Sequence, residues 1–184
     1  MTLRRLNATA ASLLGFLHDG PLSGYELAAT AERAIGDFWS VTQSQIYREL
    51  SAMAEAGLVE PGEREARDRR RYALTDAGRA AFREWVNRPP GPETIRHSLL
   101  LTVRFGRHLA PERLATFLRQ HRDAHAEKLR AYEEQTAALA AAPSASPDPY
   151  EQATLAFGIA YERAALDWFV EIQDVIPAPP ARSR

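Results

Sequence analysis

A mostly α chain with one small β-hairpin, an N-terminal module followed by a run of long helices, is what this sequence predicts. Three observations carry that prediction. Two helix starts with the same grammar lie 19 residues apart, at Ser23 and Thr42. The second of these helices runs straight into a strand, an arginine-rich tip and a returning strand, up to Leu74. A proline cluster at 88–92 closes that part, and the apolar pattern beyond it has the length of long helices. Paired helices followed by a basic hairpin make a winged helix-turn-helix. In that arrangement one helix enters a major groove of DNA and the hairpin lies along the backbone.

The elements follow in order. Leu6, Ala10, Leu13, Leu14 and Leu17 form a helical stripe over Leu3–His18, broken by Gly20-Pro21. At the second helix, Ser23 is the N-cap, Glu26 completes a capping box, and Leu22 and Leu27 have the staple spacing. That helix is expected to reach Ile35 and stop at Gly36. Thr42, Gln45, Val41 and Ile46 repeat the same roles at the third helix. There Ile46, Leu50 and Met53 share one face, Ser44, Arg48, Ser51 and Glu55 the other, with Tyr47 at the edge and Gly57 as the stop. Leu58-Val59-Glu60 starts a strand, Pro61–Asp68 forms the turn, and Arg70–Leu74 returns. Thr75 caps a fourth helix reaching about Asn87. Beyond the prolines come a short helix over Ile95–Phe105, one opened by Pro111 and reaching about Ala142, and a last one to about Ile176. Asp148 and Glu151 form a further capping-box pair around Pro149, and the tail after Pro177 is expected to be disordered. The boundaries are therefore 1–88 for a winged-helix domain, 93–176 for a helical domain and 177–184 for the tail.

Composition narrows the function. The 184 residues, 45% hydrophobic and 26% charged, suit an ordinary globular protein of one large or two small domains. Cysteine is absent, which excludes disulfides and thiolate metal sites and fits a cytoplasmic location. No apolar run approaches the roughly 18–20 residues that span a bilayer, so no membrane partner is expected. The N-terminal MTLRRLNATAASLLGFL superficially resembles a signal peptide, but its apolar part is short and lacks a cleavage site. There is no Gly-rich phosphate loop, nucleophile elbow or cysteine nucleophile, so neither an enzyme nor a cofactor is expected.

Charge distribution says more than the net charge of −1. Arg64, Arg67, Arg69, Arg70 and Arg71 stand against Glu65 and Asp68, a local +3, and Arg4 and Arg5 add a second small patch. Such a protein binds DNA weakly as a monomer and needs two copies on one duplex. Gln43, Ser44, Gln45, Tyr47, Arg48 and Ser51 are the candidates for bases and flanking phosphates. The plainer reading is that Gln45 only caps its helix and Tyr47 is partly core. On the hairpin, alternation lets two or three of Arg67, Arg69, Arg70 and Arg71 face DNA while the others pair with Glu63, Glu65 or Asp68.

The last helix is apolar on more than one side. Phe157, Tyr161, Ala164, Trp168, Ile172 and Val175 mark one stripe; Leu155, Ile159, Leu166 and Phe169 mark another. One neighbouring long helix cannot cover both, which predicts a homodimer through Leu114, Leu118, Phe157, Tyr161, Trp168 and Ile172. A monomer with that face covered by the first helix and Ile95–Phe105 is the alternative. His121 and His125 lie i, i+4 in a polar stretch of the seam, spacing that can hold a metal but is unspecific and lacks a third ligand, so no metal is expected. They and Trp168 are the candidates for small-molecule contacts or, for the histidines, a pH response; Trp39, Trp85 and Trp168 are more often core.

Together, LLGFLHDGPLSGYEL (13–27), FWSVTQSQIYRELSAMAEAGLVE (38–60) and RRRYALTDAGRAAFREWV (69–86) resemble the PadR family of bacterial transcriptional regulators. The resemblance covers the winged-helix half and extends more loosely to the rest, whose length suits members with a several-helix dimerisation region. It implies a homodimer on a palindromic operator, usually a repressor released by a small molecule bound near the dimer interface. It also implies that Tyr25 lies near the DNA backbone, with a packing tyrosine as the alternative. Family members often have Pro after the recognition-helix tyrosine; here it is Arg48, so an operator sequence does not carry over. The rival is a winged-helix scaffold for protein interactions. Near-neutral net charge favours it; the arginine tip and the polar face of the third helix oppose it.

Overall fold

In the computed structural model, which describes residues 6–36, 38–65, 69–92, 95–141 and 148–176, Asn7 caps α1 (Ala8–Phe16) by accepting from the Ala10 N–H at 2.8 Å. At Arg64, Glu65 and Arg69 the backbone alone is described. The start expected for this first helix, from Leu3, and the patch at Arg4 and Arg5 lie outside the described residues. Ala10, Ala11, Leu13 and Leu14 of α1 are buried, and a 3-10 turn, Leu17–Asp19, follows. The chain divides into two compact units, Met1–Pro92 and Glu93–Arg184.

The first unit adds α2 (Gly24–Ile35), α3 (Gln43–Glu55) and α4 (Asp76–Val86), with β1 (Leu22–Ser23), β2 (Val59–Glu65) and β3 (Arg69–Leu74). Both expected capping boxes form, Ser23 with Glu26 and Thr42 with Gln45. α3 ends as its Gly57 predicts. Gly57 takes φ +70°, its N–H reaches Ala54 O at 3.0 Å, and the Leu58 N–H reaches Met53 O at 2.9 Å. Leu13, Leu14, Leu17, Leu27, Ile46, Leu50 and Val59 are fully buried in one cluster that joins α1, α2, α3 and the sheet. Each such side chain contributes about 1.5–3 kcal/mol by leaving water.

The mostly α fold with its small hairpin stands as predicted, with two differences in the sheet. A third strand, β1, pairs Leu22 with Tyr72 and Ser23 with Arg71, giving the order β1-β3-β2. Two residues are too short to show alternation in sequence. The hairpin is also longer than expected: β2 continues through Pro61 to Glu65, with a bulge between Pro61 and Arg64. Proline is tolerated there because β2 is an edge strand. Thr75 caps α4 by accepting from the Gly78 N–H at 3.0 Å, and its own hydroxyl donates to Leu58 O at 2.9 Å. That linkage draws α4 so close to the strand that a β-carbon on Gly78 would collide with the Leu58 carbonyl oxygen.

The second unit contains α5 (Ser98–Arg104), α6 (Pro111–Ala141) and α7 (Pro149–Val175). α5 is shorter than the expected Ile95–Phe105. At α7, Asp148 is the N-cap as the sequence suggested, but its side chain accepts from the Tyr150 N–H at 2.9 Å instead of closing a box with Glu151. α7 packs on α6 with Leu155, Glu162, Phe169 and Ile172 buried. Ile172, grouped in the sequence with Phe157 and Tyr161, is buried with Leu155 and Phe169 while those two are exposed. The tail 177–184 lies outside the described residues. Among the described residues no helix is long and apolar enough to cross a membrane.

Candidate nucleic-acid interface

The outer side of α3 is set by its inner side. Ile46, Glu49, Leu50 and Met53 are buried, which leaves Gln43, Ser44, Tyr47, Arg48 and Ser51 exposed on the opposite arc. Gln45 is half-buried, and its Oε1 accepts the Thr42 N–H at 2.8 Å and the Thr42 hydroxyl at 3.0 Å. Its carbonyl oxygen thus serves the helix start, the plainer of the two roles read from sequence. Ser51 donates its hydroxyl to Tyr47 O at 3.0 Å, a bond along its own helix.

Glu49 is a residue the sequence reading passed over. It is 6% exposed and accepts from Asn7 Nδ2 at 3.1 Å, so the residue that caps α1 also holds the inner side of α3. The signal was present: Glu49 stands three residues after Ile46 and four before Met53, on the apolar stripe. Tyr25, the second residue of α2, is 61% exposed. Beside it, the Tyr47 ring lies over Gly24.

On the wing, the arginines separate. Arg71 donates from Nη2 to Glu26 Oε1 at 2.9 Å. This partner is on α2, outside the hairpin where the sequence suggested such pairs, because β1 brings Ser23 opposite Arg71; Asp68 and the Glu65 side chain lie outside the described residues. Arg70 lies on the same strand face as Tyr72, which packs on the core, and is half-buried. Its Nε is buried and makes no hydrogen bond among the described residues. Arg70 and Arg71 thus lie on opposite faces of β3, as strand alternation requires. Arg67 lies outside the described residues, as does the Arg69 side chain.

In the second unit the two histidines diverge. His125 hydrogen-bonds through Nδ1 to Glu162, which is 3% exposed, and its ring lies 5.7 Å from that of Phe169. His121 instead lines a shallow cleft of about 200 Å³ with Ser98, Leu99, Thr102 and Phe117. Among the described residues no three His, Asp or Glu side chains are grouped so as to hold a metal ion. Trp168 packs edge-on against Phe169 at 4.9 Å and lines a cleft of about 400 Å³ with Leu100, Val103, Arg104 and Ile176. Of the expected dimer contacts, Phe157 and Tyr161 are exposed and Leu118 is half-buried. Leu114 and Ile172 are buried within the unit itself and serve its own packing. Partial burial raises the Tyr161 phenol above its ordinary pKa, the Glu162 charge adds to the rise, and Lys128 offsets part of it.

Comparison with known proteins agrees with this architecture. Residues 13–84 match the Transcriptional regulator PadR-like family, and residues 95–176 match Virulence activator alpha C-term. The "Probable transcriptional regulator Rv1176c" of Mycobacterium tuberculosis is 30% identical over 172 residues, 84% of this chain and 89% of that protein. The "Negative transcriptional regulator PadR" of Bacillus subtilis is 28% identical over 173 residues, 90% and 95% of the two chains. The crystal structure of B. subtilis PadR in complex with operator DNA has a TM-score of 0.77 at 25% identity, covering 92% of this chain and 99% of that one. The structure of the same regulator in complex with p-coumaric acid has a TM-score of 0.70 at 26% identity, covering 92% and 96%. The chain therefore belongs to the PadR-like family of transcriptional regulators.

Proposed function

We propose that this protein is a cytoplasmic repressor that holds a palindromic operator as a homodimer and lets go when a small molecule binds. The observation that carries the reading is the exposed row Gln43, Ser44, Tyr47 and Arg48 on a helix whose other side is fixed in the core. In this reading residues 1–88 bind DNA and 93–176 dimerise and take the effector. Gln43, Ser44 and Arg48 meet base edges or phosphates; Tyr25, Tyr47, Ser51, Arg67, Arg69 and Arg71 flank them; Gln45 and Arg70 play smaller parts.

Several features support the dimer. A net charge of −1 gives one copy little hold on DNA. Phe157, Val170 and Val175 are exposed on α7, and Leu100 and Leu101 on α5. A second copy laid on them removes apolar surface that a lone chain leaves in water. For the effector, the support is the cleft beside Trp168, whose roughly 400 Å³ falls in the usual range for small ligands. The p-coumaric acid complex of B. subtilis PadR adds to it. His121 and His125 are the polar candidates nearby on α6.

The test is retardation of DNA taken from directly upstream of the protein's own coding sequence, followed by a screen of small aromatic acids for release. Retardation that falls when Gln43, Ser44 and Arg48 are replaced by Ala supports the reading. A failure to retard any upstream or random duplex at low salt overturns it in favour of a protein-interaction scaffold.

A further inference from the structure

We propose that Glu26 is a positioning residue for DNA binding: its carboxylate fixes Arg71 of the wing beside the start of α2 and presents the guanidinium to a phosphate in a set orientation. The proposal rests on the DNA-binding reading above.

The two oxygens of Glu26 have different tasks. Oε2 accepts the Ser23 backbone N–H at 2.8 Å and closes the capping box. Oε1 accepts from Arg71 Nη2 at 2.9 Å. The first task needs only a neutral acceptor, since Gln45 performs it at α3 with the Thr42 N–H at the same 2.8 Å. The second is a charge-assisted bond and gains from the carboxylate. A charge on the first turn also suits the helix dipole, but that holds equally at α3, where the residue is Gln.

The backbone makes this meeting unavoidable. β1 lies beside β3 with Ser23 opposite Arg71, so the cap of α2 and the wing strand share one corner. As a stabilising element the pair is weak. The Arg71 and Glu26 side chains are 49% and 36% exposed, and such pairs contribute about 0–1 kcal/mol. Its value lies in order. A freely rotating arginine loses up to about 2 kcal/mol of side-chain freedom on docking, and a guanidinium already held in place loses less.

The sign of one substitution tests this. Removing a carboxylate from a surface that meets DNA should tighten binding by charge alone. If Glu26 positions Arg71, E26Q in the full chain instead weakens affinity for a random-sequence duplex by about tenfold, while its Tm stays near that of the wild type. The slope of log K against log salt falls by about 0.9 per copy, as it does in R71A, and the double variant is no worse than R71A. R71K, which leaves the cap and the net charge intact, also weakens binding because the fork is lost. Binding by E26Q as tight as or tighter than wild type, additive losses in the double variant, or an unchanged R71K would overturn the proposal. A wild-type protein that retains no duplex at all overturns the DNA-binding reading instead.

Discussion

The Tyr47 ring occupies the space that a side chain on Gly24 would need. A β-carbon there would stand 2.5 Å from the tyrosine Cε1 and 2.8 Å from Cζ. The first residue of α2 and the exposed edge of α3 therefore touch through a glycine, and Tyr47 is aimed by that contact. G24A forces the ring to swing. Because the ring is 45% exposed it can move outward, so the loss in stability is about 1 kcal/mol or less. DNA affinity, if Tyr47 meets the duplex, falls by about tenfold. Urea unfolding and gel retardation on the same sample separate the two effects. A variant that loses stability and keeps its affinity would rule out aiming as the role of Gly24.

Gly78 presents the opposite case. What a β-carbon meets there is the carbonyl oxygen of Leu58, held by Thr75 and by the strand, and backbone cannot swing away. G78A is expected to cost about 3 kcal/mol or more and to lower the urea midpoint sharply. A midpoint unchanged from wild type would mean that α4 shifts off the strand at no cost.

These two glycines mark the limit of what the sequence discloses. The starts at Ser23 and Thr42 are legible because each capping box closes within three residues, and Gly57 because its stop is local. The outer arc of α3 is legible because Ile46, Leu50 and Met53 fix the inner one. What stays hidden depends on distant partners. Arg71 meets Glu26 45 positions away, and Asn7 meets Glu49 42 positions away. Pattern alone cannot choose between the two apolar stripes of α7. The inner one contains Glu162, a charge that argues against burial until His125 is seen across from it.

That buried pair yields a third prediction. H125A leaves the Glu162 carboxylate enclosed between α6 and α7 without the ring nitrogen, and should destabilise the second unit by about 3–5 kcal/mol. E162M, of similar length and apolar, should be neutral or stabilising, and should rescue most of the loss in combination with H125A. Calorimetry of the full chain checks the order of the three melting points. H125A melting with the wild type would mean that water reaches the carboxylate.

Arg48 carries the last prediction, since it is exposed on α3 and faces away from the core. A guanidinium at that place either bonds a guanine edge or neutralises a phosphate, and the two roles leave different marks. As a base reader, R48A costs about 1–3 kcal/mol on the operator and little on random duplex, so the specificity ratio falls. As a phosphate contact, R48A weakens both alike and lowers the salt slope by about 0.9 per copy. Titrating wild type and R48A on both duplexes at several salt concentrations decides between them. Its position in the second turn of α3, one residue past the aimed Tyr47, favours the base-reading outcome, because the N-terminal turns of a recognition helix lie deepest in the groove. Equal affinities and equal slopes on both duplexes would remove Arg48 from the interface.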